Sequence, residues 1–385
     1  MHSSYQTRSG NYFSFYIDGA RFFPVILEKI KQAREYIAIE MYLVQPGEMY
    51  DLLCDALLEK ANEHVLVFLN FDAFGSSRIE KEKDRLSHPN IFLNFYNRIS
   101  IFKITGNLYR NHRKIFIMDG IYAFTGGTGI TDNFYSTSRP ANLWHEVMIG
   151  IQGECVGDWE DLFFRSFPER VLKKKDIQSV IPAAKNYNQQ KFSPALIQPG
   201  RVVYTGRFRY KNIQRSVIGQ IKLSVKEILF VTPYFLPSWA LRRALRKAAK
   251  RGVAVKLLLP GENSDHPSVR HMGRRFYYFL LRSGVKIYEY QPVFNHSKVY
   301  VFDDRVSIGS CNLDRWSHHR NLEANQEVYD RSFAREVSAF IHSDISKSRE
   351  INLANWNLRS GEEKMLEKIW IGFFTMIDTM LPRKL

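Results

Sequence analysis

The pattern His-x-Lys-x-x-x-x-Asp occurs twice in this chain. The first copy reads Asn111-His112-Arg113-Lys114-Ile115-Phe116-Ile117-Met118-Asp119 and is followed by Gly126-Gly127. The second reads Asn295-His296-Ser297-Lys298-Val299-Tyr300-Val301-Phe302-Asp303 and is followed by Gly309-Ser310-Cys311-Asn312. The two histidines lie 184 positions apart in 385 residues, so the repeat spans about half the chain and a short solenoid period is excluded. A length of 385 residues is also two domains' worth, at about 100–200 residues each.

The surrounding pattern supports a duplicated unit. Helical periodicity over 20–35 leads into a strand-like run at 36–44, a helix over 49–62 and strands at 65–71, 91–96, 114–118, 121–125 and 146–151. The second half repeats this order. Helix 213–226 precedes strand 227–235, helix 239–251 precedes strand 253–259, and helix 268–283 precedes strand 286–290. Strands at 298–302, 305–308 and 324–329 follow. Strands interleaved with helices predict an α/β fold of two lobes, each with a mixed, mostly parallel sheet flanked by helices. The expected boundaries are a first lobe over 1–168, a polar, basic, proline-punctuated linker over 169–200, a second lobe over 201–345 and a helical tail over 346–385.

The motif residues fit phosphate chemistry. Residues two apart on a strand share a face, so His112 lies beside Lys114, and His296 beside Lys298. An ammonium neutralises phosphoryl oxygens, and an imidazole is a nucleophile or proton carrier near neutral pH. Small residues after each motif, including Gly127 and Ser310, let backbone amides approach a ligand oxygen. One such pair on a basic strand would mean little. Two at identical spacing in matching places of two repeats argue for one shared site.

With these residues the sequence resembles the phospholipase D superfamily, whose signature is the duplicated His-Lys-Asp motif. It is most similar to the bacterial cardiolipin synthase branch, and a short form without N-terminal transmembrane helices is the expectation. The similarity lies in Glu40-Met41-Tyr42, Gly126-Gly127, Pro233-Tyr234-Phe235-Leu236-Pro237, Arg251-Gly252-Val253-Ala254-Val255, Leu259-Pro260 with Asp265, Ser283-Gly284-Val285-Lys286-Ile287-Tyr288 and Asn321-Leu322-Glu323-Ala324-Asn325. It runs from about residue 10 to 340.

The resemblance implies a phosphatidyltransferase that passes a phosphatidyl group to phosphatidylglycerol through a phosphohistidine, with neither metal nor other cofactor. A phospholipase D-type hydrolase and a metal-independent nuclease of the same fold are the alternatives. It assigns the catalytic set to His112, Lys114, Asp119, His296, Lys298 and Asp303, with His112 as nucleophile, His296 as acid and base, and the lysines on the non-bridging oxygens. Asp119 and Asp303 would hold strand-to-turn geometry. Glu146 and Glu323, each downstream of a motif at the start of a strand-like run, would bond the imidazoles. Ser310, Asn312 and Gly127 would support the site. Two features depart from the family pattern. Gly129 stands where the first turn usually carries Asn, and the second motif reaches its glycine one residue sooner than the first.

Composition bounds the partners. Lys+Arg outnumber Asp+Glu by 55 to 39, a net charge of +16, which points to a polyanion: nucleic acid or an anionic membrane surface. The resemblance selects anionic phospholipid and a peripheral place on the cytoplasmic face of the cell membrane, and makes nucleic acid an unexpected partner. Residues 1–20 lack the basic start and apolar core of a secretory leader, and no run of 18 apolar residues predicts a spanning helix. The apolar stretch 366–381 suits either an interfacial helix with Trp370, Phe373 and Phe374 inward or a helix packed on the second lobe. Arg242, Arg243, Arg246, Lys247, Lys250 and Arg251 recur at helical spacing, as a solvated face or a headgroup-binding one. Cys54, Cys155 and Cys311 have neither disulfide-framework nor metal-ligand spacing and are expected as free thiols. Oligomeric state leaves no mark in the sequence.

Overall fold

Apolar runs buried on both faces alternate with amphipathic segments, and the chain assembles two sheets from them. The computed structural model describes residues 4–102, 106–140, 143–172, 197–206, 211–312, 314, 321–365 and 369–370. The first half contains β1 (Asn11–Ile17), β2 (Tyr36–Met41), β3 (Leu66–Asp72), β4 (Ile91–Tyr96), the two-residue β5 (Arg110–Asn111), β6 (Ile115–Met118), β7 (Tyr122–Gly126) and β8 (Val147–Gly153). All but β5 form one sheet in the order β1-β8-β7-β6-β2-β3-β4.

The second half contains β9 (Gly200–Tyr204), β10 (Glu227–Val231), β11 (Ala254–Pro260), β12 (Lys286–Tyr290), β13 (Val299–Phe302), β14 (Arg305–Gly309), the short β15 (Asn321–Leu322), β16 (Ala324–Val328) and β17 (Ser348–Ile351). Its sheet runs β17-β12-β11-β10-β13-β14-β16-β9. Seven strands match the first sheet position for position, and β17 is an added edge.

Within the two large sheets, parallel pairing is confined to β2-β3-β4 and β10-β11-β12, where helices Glu48–Asn62 and Trp239–Lys250 make crossovers. Every other pairing within the two sheets is antiparallel. The sheets are therefore mixed, but not mostly parallel as expected. The cause is local: β6–β7 and β13–β14 are tight hairpins, and a short turn can join only antiparallel neighbours. The expected helical tail from 346 likewise begins with β17 on the second sheet. Strands β1, β9 and β17 and helices Glu154–Phe164 and Arg331–Ser346 have no counterpart in the sequence expectations, and the expected helix over 268–283 divides into Pro267–Arg274 and Tyr277–Leu281. Most of the linker and the apolar stretch, 173–196 with 366–368 and 371–381, lies outside the described residues.

One apolar core is common to both lobes. It contains Ile117, Ile149 and Trp159 from the first and Val299, Val301 and Ile308 from the second. Trp159 also donates from Nε1 to Gln326 Oε1 at 2.9 Å across the junction. All three cysteines are buried free thiols.

Two small stitches join the lobes. β5 pairs in parallel with β15, Asn321 against Arg110 and Leu322 against Asn111. On the other side His145 forms a parallel bridge with Asn295. Each stitch links the residues just before a motif histidine to the residues just before a glutamate of the opposite lobe.

Candidate active site

The stitches determine where the motif side chains fall. His112 N donates to Leu322 O at 3.0 Å, and His296 N donates to His145 O at 2.8 Å. Each histidine is thereby laid beside the residue that follows its partner. His112 Nδ1 lies 3.0 Å from Glu323 Oε1 and 3.1 Å from Oε2, while His296 Nδ1 lies 2.7 Å from Glu146 Oε2. The carboxylate of each lobe thus orients the imidazole of the other. Both glutamates are fully buried, so these contacts compensate groups that could not otherwise leave water cheaply.

The lysines follow the strand alternation. Lys114 Nζ donates to His112 O and Lys298 Nζ to His296 O, both at 2.6 Å. Lys298 Nζ also lies 3.0 Å from His296 Nδ1 and 3.8 Å from Glu146 Oε2. Burial pushes the Lys114 ammonium down to about 7, against the pull of Glu323, and lowers Lys298 as well. Burial pushes Glu146 up to about 7, with Lys298 opposing. His112 is lowered by burial and by the Lys114 and Lys298 charges, and His296 falls further, through burial and the charges of Lys298, Lys114 and His112. Each imidazole feels the ammonium of the opposite lobe, as groups of one pocket do. Without an anion between the lysines both rings favour the neutral form; a phosphodiester there would offset the ammonium charges and raise their proton affinity.

The hairpin registers settle the alignment of the two turns. Ile115 pairs with Thr125, and Val299 with Ile308, so Gly126 corresponds to Gly309, Gly127 to Ser310 and Gly129 to Asn312. The one-residue difference is absorbed in the hairpin loops, at 119–121 and 303–304. A Cβ on Gly127 would collide with the Glu146 carboxylate. Ser310 instead uses its side chain, donating to Glu323 Oε2 at 2.5 Å. Asn312 Oδ1 is buried and has no partner among the described residues.

Asp119 and Asp303 stand at the far ends of β6 and β13 from the histidines. The Asp119 carboxylate accepts from the backbone N–H groups of Arg34, Glu35 and Tyr36 at 2.8–2.9 Å. Asp303 accepts equivalently from Val225, Lys226 and Glu227. Their φ angles of 53° and 54° are left-handed, a conformation that Asp tolerates better than most residues. These two tie hairpin to sheet, so within the set named with the motif they hold geometry and the histidines and lysines stand at the other end of the strands.

Other residues complete the site without having been assigned a part in it. Asp72 accepts from Asn111 N at 2.8 Å and from Arg110 Nη1 at 3.2 Å, fixing the segment before His112. Asn111 Nδ2 donates to buried Glu40. Thr205 Oγ1 accepts from Glu323 N at 2.7 Å. The Tyr42 ring packs 4.8 Å from His112, and Trp144, Phe134, Phe294 and Tyr234 surround His296 at 5.4–6.2 Å. Tyr234 Oη donates to Asp265 at 2.5 Å. The Asn before each motif His was a visible signal, since it too is duplicated.

His145 is a further clasp. Its Nδ1 meets Asp18 at 2.7 Å in the first lobe and its Nε2 meets Asp344 at 2.8 Å in the second, with Tyr290 stacked on the ring. Burial opposes its charge, but hydrogen bonds to both carboxylates outweigh it and push the pKa from 6.5 up to about 9. A group whose proton affinity rises on folding stabilises fully below its unfolded value and loses that contribution as pH climbs through the folded one. The stability difference between wild type and His145→Gln should therefore shrink by roughly 3 kcal/mol between about pH 6.5 and 9, followed by urea unfolding at a series of pH values. A difference that stays flat over that range would contradict a charged clasp.

Comparison with known proteins agrees with this architecture. The family described as cardiolipin synthase, PLD-like domain matches residues 217–345. The chain is 30% identical over 361 residues to a cardiolipin synthase 2 of Bacillus anthracis, covering 92% of this chain and 68% of that protein. It is 30% identical over 376 residues to a cardiolipin synthase of Clostridium perfringens strain 13, covering 95% and 77%. Among solved structures, a phosphatidylserine synthase of Haemophilus influenzae Rd KW20 shares the fold with a TM-score of 0.68 at 15% identity, over 95% of this chain and 93% of that one.

Proposed function

The chain belongs to the cardiolipin synthase family of phosphatidyltransferases, and from that membership we propose that it transfers a phosphatidyl group to a hydroxyl of phosphatidylglycerol through a phosphohistidine. The observation that carries the mechanism is the pair of His–Lys sets, each imidazole held at Nδ1 by a buried carboxylate of the opposite lobe. Carboxylate at Nδ1 leaves Nε2 for reaction with phosphorus.

In the first step His112 Nε2 attacks the phosphorus of the donor lipid. The P–O bond to the leaving alcohol breaks as its electron pair goes to oxygen, and His296 delivers the proton to that oxygen. In the second step His296 takes the proton from the acceptor hydroxyl. The acceptor oxygen bonds to phosphorus, and the P–N bond returns its electrons to His112. Lys114 and Lys298 bind the non-bridging oxygens, whose charge grows in both transition states, and the amide of Asn312 adds a donor from the second lobe only. Glu323 holds the nucleophile's tautomer and Glu146 that of the acid and base. Phosphatidylglycerol serves as acceptor and a phosphatidylglycerol or phosphatidylethanolamine as donor, at the cytoplasmic face of the membrane. A peripheral mode fits the +16 charge, and no helix among the described residues is long and apolar enough to cross a bilayer.

Purified protein given phosphatidylglycerol in mixed micelles should yield cardiolipin and glycerol, with chelator making no difference. Phosphatidic acid alone would replace the transferase reading with a hydrolase. Cleaved oligonucleotide beside untouched lipid would replace it with a nuclease.

A further inference from the structure

The parallel strands of both lobes end on the side where the imidazoles meet. Tyr42, directly after β2, packs on His112, and Tyr234, three residues past β10, lies edge-on to His296. The loops leaving the other strands of the first lobe at this end carry apolar side chains into water. Phe74, two residues past β3, is 58% exposed. Beyond β4, Ile101 is 85% and Phe102 91% exposed, with Ile99 beside them. In the second lobe Trp239 opens the helix that follows β10 and is 65% exposed.

This apolar display is held in place. Asn97 Nδ2 donates to Gly106 O at 2.8 Å and Tyr109 O at 2.7 Å, and Asn107 makes two bonds to the backbone of Ser100, closing the stem beneath 99–102. Phe74 N donates to Asp72, the carboxylate that also positions Asn111 beside His112. Cations flank the apolar groups. Arg98, exposed next to Ile99, is ion-paired with Glu80 at 2.7 Å, and the Arg243 guanidinium lies 5.1 Å from the Trp239 ring centre with exposed Arg246 and Lys247 one turn on. Exposed apolar groups gathered at one end of a protein mark an interaction surface. Apolar tips bordered by Trp and basic residues match the layering of acyl chains under anionic headgroups.

We infer that this end of the molecule docks on an anionic phospholipid bilayer, inserting the 99–102 tip with Phe74 from one lobe and Trp239 from the other, so that the catalytic pocket opens at headgroup level. The inference rests on the phosphatidyl-transfer reading, which makes the bilayer the source of substrate and so favours lipid over a protein partner.

Sedimentation of the full chain with vesicles of phosphatidylcholine containing about one-third phosphatidylglycerol tests it. The double variant Ile101→Ser/Phe102→Ser should partition at least about tenfold more weakly than wild type, since two apolar anchors are lost. Its turnover of monomeric short-chain phosphatidylglycerol should be unchanged. The fluorescence difference between wild type and Trp239→Phe should show quenching by brominated acyl chains. Equal partition of variant and wild type, or an unquenched Trp239, would overturn the docking surface. So would loss of self-association in the double variant with vesicle affinity intact, which would make this end a contact between copies. Wild-type vesicle binding that depends on Ile101 and Phe102, without any transfer of short-chain lipid, would sustain the docking surface and remove the phosphatidyl-transfer reading.

Discussion

Alanine in place of either His112 or His296 should lower the rate of cardiolipin formation at least about a thousandfold, because one ring supplies the nucleophile and the other every proton transfer. The two losses should not add in the double variant, since either alone already halts the cycle. Alanine leaves buried Glu323 or Glu146 without its imidazole, so each variant should also melt somewhat lower, and turnover is compared at a temperature where circular dichroism shows both variants folded. Wild type given phosphorus-labelled phosphatidylglycerol and quenched in detergent at mildly alkaline pH, where the P–N bond survives, should carry the label on protein, and His112→Ala should not. Label on His296 would exchange the two roles. Retention of even about a tenth of wild-type turnover by either variant would rule out the division of labour between them.

Glu323→Gln and Glu146→Gln should each lower turnover on the order of a hundredfold or more, because an amide keeps the shape but loses the charge that steadies the imidazole. The diagnostic is which histidine responds. The Glu323 charge raises the proton affinity of His112, so Glu323→Gln should drive the already lowered His112 pKa further down. Histidine C–H shifts followed by NMR against pH would show it, with His296 of the same lobe as Glu323 much less affected. Removing Glu146 should alter the ring nitrogen shifts of His296, and leave those of His112 near wild type. Responses confined to the histidine of the same lobe would contradict the crosswise geometry.

Much of this site is legible in the sequence. The duplicated motif carries its own internal control, and Glu146 and Glu323 stand out as carboxylates at matching places. What cannot be read there is the crossing. It is produced by a two-residue pairing of β5 with β15 and one bridge at His145, contacts too short to leave a periodicity. The second His145 partner, Asp344, lies on a helix with no sequence expectation at all, although its Asp330 cap and apolar positions Phe333, Val337 and Ile341 carry the helical signal. Counting βα units predicts mostly parallel sheets, whereas the hairpins that carry both motifs impose antiparallel neighbours. Asp119 and Asp303 are a repetition of another kind. Their repetition is real, but it records a repeated anchoring problem rather than a repeated chemical role. Gly127 and Ser310 became equivalent only once strand register was known, and they solve one requirement differently: one makes room for a carboxylate, the other bonds it.

The crossed glutamates also bear on autonomy. A severed half would keep its histidine and lysine but lose the group that selects the ring's tautomer, and would strand its own carboxylate where water had been excluded. Neither fragment should work alone, and mixing separately produced halves should restore turnover only to the extent that they reassemble. Within the intact protein, any motion that parts the lobes detunes both imidazoles simultaneously. Competence is accordingly a property of the closed pair, switched as a whole instead of being graded between two independent catalysts.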